Sequence, residues 1–174
     1  MIYLPTSEIF SILKALIKQS DKMKMKDPEQ RKRLRWHIPT NAEDHTQLIS
    51  TFIAGYMNIK QEKKKGQKTI LEKCYEIQLN FDQLIHNMLN SMLTCVLPLD
   101  LAIHVTWMFI MEGQKALFRS VYAVLKYSRD VIAAVNTKKD IITKIREHCK
   151  SLSVNEFLKL AYETKMKTTG YYGK

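Results

Sequence analysis

The chain has 174 residues, 45% of them hydrophobic, with only 5 Gly and 4 Pro. That length and composition predict one globular domain and exclude a linker, a collagen-like chain or a low-complexity chain. A formal net charge of +11 directs the chain toward acidic partners, whether nucleic acid, an anionic membrane or an acidic protein face such as tubulin tails, without choosing among them.

Apolar residues recur at helical spacing and strand-like alternation is scarce, so the predicted fold is all-α, a multi-helix orthogonal bundle. In "PTSEIFSILKALIKQS", Ile9, Phe10, Leu13, Leu16 and Ile17 share one helical face, and Pro5 with Thr6 or Ser7 suits a helix start. The charged stretch that follows, with Pro28 and Pro39, reads as an exposed connection holding a short helix from Pro28 to Trp36. The next helix has Asn41 as cap, Glu43 and Asp44 in its first turn, and Leu48, Ile49, Phe52, Ile53 and Tyr56 as its apolar stripe. "QEKKKGQK" interrupts it with lysines and Gly66. "TILEKCYEIQLN" and "FDQLIHNMLNSMLTCV" predict two helices split near Asn80.

Two more helices come from "LPLDLAIHVTWMFIMEGQKALFRSVYAVLK". Pro98 stands where a first-turn proline is tolerated, and Gly113 where a helix-ending left-handed residue is wanted. Leu117, Phe118, Val121, Val124, Leu125, Val131 and Ile132 continue at helical spacing. "TKKDIITKIREHCKSL" is a further amphipathic helix, and "SVNEFLKLAYETKMK" opens with the Ser153/Glu156 capping box. The expected domain spans 1–167, with 168–174 as a tail that is mobile or ordered by a partner.

The chemistry-bearing residues give little support to catalysis. Cys74, Cys95 and Cys149 are odd in number, far apart and read as reduced thiols. The five histidines (His37, His45, His86, His104, His148) have no metal-ligand spacing. Neither a Gly-rich phosphate loop nor a Gly-x-Ser-x-Gly elbow occurs. No cofactor is expected. Asp82, Asp100, Glu43 and Asp44 fit helix-start charges better than carboxylate pairs. The N-terminus lacks the pattern of a signal peptide, and the apolar stretch Leu99–Met111, broken by Asp100, His104 and Thr106, is short for a membrane span. A cytoplasmic location is the expectation.

Two basic runs are candidate partner-binding segments. One carries Lys22, Lys24, Lys26, Arg31, Lys32, Arg33 and Arg35, the other Lys63, Lys64 and Lys65 flanked by Lys60 and Lys68. Trp36 is the one aromatic beside them, too few for a base-stacking platform, so nucleic acid fits less well than an acidic protein surface. The bland alternative is a solvated loop.

The stretch from Leu97 also resembles the C-terminal part of a TBC domain, the helical domain of Rab GTPase-activating proteins. The resemblance is carried by Leu97-Pro98, the corner Glu112-Gly113 with Lys115, and Leu117-Phe118-Arg119. "SEIFSILKALI" and "NEFLKLAYE" are similar to other segments of that family. The resemblance implies a family that stimulates GTP hydrolysis with an arginine in Ile-x-x-Asp-x-x-Arg and a glutamine in Tyr-x-Gln. Neither motif occurs in this chain, which opens past the place they would occupy. The family's arginine, tryptophan and acid ahead of the corner fall on His104, Thr106 and Trp107, none of which matches. Glu112 and Lys115 read as structural punctuation between two core helices, and Arg119 as the partner of a neighbouring acid.

The expectation that follows is a degenerate, non-catalytic TBC-like module serving as a subunit of a larger assembly, with microtubule or ciliary architecture as one home. A half-domain exposes apolar faces that the other half would cover, and such faces need a partner. Two alternatives stand beside it: a Rab GTPase-activating protein whose catalytic half is absent from this chain, and a binder of nucleic acid or anionic lipid through the lysine-rich runs.

Overall fold

The computed structural model describes Glu8, Ser11, Lys14 and Ala15 and the continuous segment 69–163. The first four are helical and exposed, as the polar side of the predicted first helix should be. The expected short helix at 28–36, the helix from Asn41, the basic residues Lys22 to Arg35 and Lys60 to Lys68, and the tail lie outside the described residues. Residues 69–163 fall within the compact unit Ile38–Met166; the other unit comprises Met1–His37 and Lys167–Lys174.

Among the described residues there are seven helices and no strand: α1 Ile70–Glu76, α2 Phe81–Asn90, α3 Leu99–Glu112, α4 Gln114–Tyr127, α5 Arg129–Ala134, α6 Ile141–Cys149 and α7 Val154–Glu163. The all-α reading holds. A side-chain cap marks the start of three of the seven helices. Thr69 caps α1 through a full capping box: its hydroxyl accepts from Glu72 N at 3.1 Å, and Glu72 accepts from Thr69 N at 2.8 Å. Asn80 caps α2 by accepting from Gln83 N at 3.1 Å, at the predicted split. Ser153 accepts from Glu156 N at 3.2 Å at the start of α7, the Ser half of the expected box. Asp82 and Asp100 sit in the first turns of α2 and α3, where the helix N-terminus favours negative charge.

Three boundaries differ from expectation. Helix α2 ends at Asn90 rather than running to Val96. Ser91 Oγ donates to the Met88 carbonyl and Thr94 Oγ1 to the Ser91 carbonyl, and Met92 and Leu93 take φ values of 49° and 62°. These hydroxyls offer the backbone partners that compete with helix continuation. The turn drives Leu93, Val96 and Leu97 into the core. The apolar run from Leu117 to Ile132 is also two helices, broken at the buried Ser128.

The third difference is Gly113. It does end α3, and its N–H donates to the Phe109 carbonyl at 2.7 Å, but its φ of 76° and ψ of −154° are not left-handed helical values. They lie in a region open essentially to glycine alone. Gly113 is also buried, so a Cβ has neither the torsion angles nor the room. Gly113→Ala is expected to cost about 1–3 kcal/mol, read as a lower midpoint in urea unfolding.

Helix α4 is the axis of the packing. It contacts α2, α3, α5, α6 and α7, while α1 packs on α5, α5 on α6, and α7 on α3. Its buried residues include Leu117, Phe118, Val121, Val124 and Leu125. Ile85, Met88, Leu101, Ile132, Ile145 and Phe157 complete a core in which each is less than 2% exposed. Cys74 and Cys149 are buried free thiols and Cys95 is half-buried. Burial pushes the Cys74 thiol up to about 11. It raises Cys149 as well, against a contact with the Ser128 hydroxyl that lowers it. Neither thiol is set up as a nucleophile, because the thiolate is the reactive form.

Candidate functional site

The feature of the described surface that asks for a partner lies on α3. The inner side of this helix, Leu101, Ala102, Val105, Met108 and Phe109, faces the core. Its outer side carries the polar Asp100, His104 and Thr106, but a line of large apolar residues runs among them. Leu99, Ile103, Trp107 and Met111 follow one another at intervals of four, which aligns them in a single ridge along the helix. Leu99 is 73% exposed, Met111 68% and Trp107 37%, and Ile103 is half-buried. From first to last the ridge runs about 18 Å at the helical rise of about 1.5 Å per residue. Large apolar residues on both the inner and the outer side of a helix favour cover on both.

The polar residues of α3 do not offset this. His104 Nδ1 lies 2.8 Å from the Asp100 carbonyl, and Thr106 Oγ1 donates to the Ala102 carbonyl at 3.0 Å. Both are thus occupied by their own helix. Together with the half-exposed Trp107, they stand where the TBC-like pattern would place an arginine, a tryptophan and an acid.

At its C-terminal end the ridge meets a small ionic cluster. Glu112 Oε2 accepts from Arg119 Nη1 at 2.5 Å, and Glu112 Oε1 accepts from the Tyr162 hydroxyl. The Arg119 guanidinium carbon lies 5.2 Å from the centre of the Tyr162 ring. One carboxylate therefore joins the end of α3, the middle of α4 and the end of α7. The acid that pairs with Arg119 is Glu112, the last residue of α3. Arg119 Nε is buried and makes no hydrogen bond. Burial raises the Tyr162 phenol, the Glu112 carboxylate raises it further, and Arg119 lowers it. Tyr162→Phe is expected to cost about 1 kcal/mol in unfolding free energy, since it deletes one part-exposed hydrogen bond and keeps the ring under Arg119.

The other motif residues lie just before α3 and in α4. Pro98 is the N-cap of α3, one place before the first turn. Leu97 and Phe118 are buried, and Lys115 is half-buried at the start of α4. His86 lies 2.8 Å from the Asn90 amide, and His148 stacks on Tyr127 with ring centres 4.5 Å apart. Arg146 Nε donates to the Cys95 carbonyl at 2.9 Å. Among the described residues no group of three His, Cys, Asp or Glu side chains could hold a metal ion, and no helix is long and apolar enough to cross a membrane.

Charge is divided unevenly along the chain. Within 69–163, eleven Lys and Arg stand against ten Asp and Glu. The remaining residues hold ten of the chain's eleven net positive charges. The described helices are close to neutral, and the strongly basic character belongs to residues outside them.

Sequence reasoning named the corner but missed the ridge and the part played by Tyr162. The four-residue spacing of Leu99, Ile103, Trp107 and Met111 was the available signal. No protein-family model, curated protein or solved structure matches the chain.

Proposed function

We propose that the chain is a non-catalytic, TBC-like helical interaction module, a protein-binding subunit of a larger assembly. The observation that carries this reading is the apolar ridge on α3, on a helix with large apolar residues on both its inner and its outer side. The partner it fits is a protein surface with an apolar patch. The resemblance of Leu97-Pro98, Glu112-Gly113, Lys115 and Phe118-Arg119 to the TBC pattern supports the same reading.

The basic runs supply a second kind of contact. Lys22 to Arg35 and Lys63 to Lys65 suit an acidic protein surface of the tubulin kind, and one neighbouring tryptophan gives little for nucleic-acid bases to stack on. Microtubule or ciliary architecture in the cytoplasm is the setting proposed for such a subunit.

The proposed inactive role is supported by two features of the residues. Neither finger motif occurs in the 174 residues, and Arg119, the arginine of the TBC-like block, is held by Glu112. A free arginine finger is worth roughly 10³–10⁵ in turnover. Phosphate release from a panel of GTP-loaded Rab proteins should therefore run at the same rate with and without the chain. Acceleration by orders of magnitude for any one of them would overturn the reading in favour of a Rab GTPase-activating protein.

A further inference from the structure

We draw no further inference here: the strongest candidate, the exposed apolar ridge Leu99, Ile103, Trp107 and Met111 on the outer face of α3, belongs to the site already described, and nothing in the structure shows which molecule covers it.

Discussion

Phe157→Ala is expected to lower the unfolding free energy by about 3–5 kcal/mol, a large part of the ~5–15 kcal/mol that a domain of this size has to lose. Phe157 is fully buried on α7, the helix that packs on α4 and α3. Its removal takes away the transfer free energy of a whole ring and leaves a void that a close-packed core fills only in part. The same change loosens the seat of Tyr162, one and a half turns further along the same helix, and with it the hydrogen bond that closes on Glu112. Urea unfolding followed by far-ultraviolet circular dichroism reads the loss. A loss of under about 1 kcal/mol would mean that α7 is not part of the cooperative core.

The parts of this fold that sequence made legible are those decided locally. Asn80 announces α2 because a short polar side chain satisfies an N–H three residues on, whatever surrounds it. The Leu117–Leu125 stripe announces α4 because burial on one side imposes helical spacing. Gly113 was legible as a break and not as a conformation, since more than one backbone state with positive φ suits glycine and only packing selects among them. The turn after Asn90 was hidden because Leu93, Val96 and Leu97 look like more helix. They leave it because the core, far away in sequence, takes them. Ser128 breaks the run before α5 with no local signal of comparable strength.

The site was illegible for a related reason. Periodicity reports that Leu99, Ile103, Trp107 and Met111 are apolar and aligned. It does not report which side of a helix with apolar residues on both sides the rest of the molecule covers. The structure supplies that: α4 and α7 pack on α3, and Leu99, Trp107 and Met111 of the outer ridge are exposed. The ionic corner was half legible. Arg119 was expected to meet an acid, and Glu112 is that acid. Tyr162 comes from α7, fifty residues away, and nothing local pointed to it.

The division of charge sharpens the account of binding. Near-neutral helices have little long-range attraction for an acidic surface, whereas ten net positive charges elsewhere in the chain have much. Attraction through exposed lysines is screened within about 8–10 Å at ordinary ionic strength, and burial of an apolar ridge is not screened. Binding through α3 should thus survive moderate salt, and binding through the basic runs should not.

The second large effect concerns the ridge. Leu99→Asp with Met111→Lys replaces its two most exposed side chains by charges. Aspartate suits the first position of α3 and lysine its last turn, so the macrodipole favours both and stability should change by no more than about 0.5 kcal/mol. Loss of two apolar anchors from a desolvated contact weakens binding by about 2 kcal/mol or more, roughly 30-fold. The direct measurement is paired affinity purification of the tagged wild-type and Leu99→Asp/Met111→Lys chains from the native source at moderate salt, with bound proteins quantified and the folding of both chains checked by thermal melting. The account predicts a defined protein complex on the wild-type chain and its near-complete loss from an equally stable variant. A variant that keeps the same complex in the same yield would contradict it.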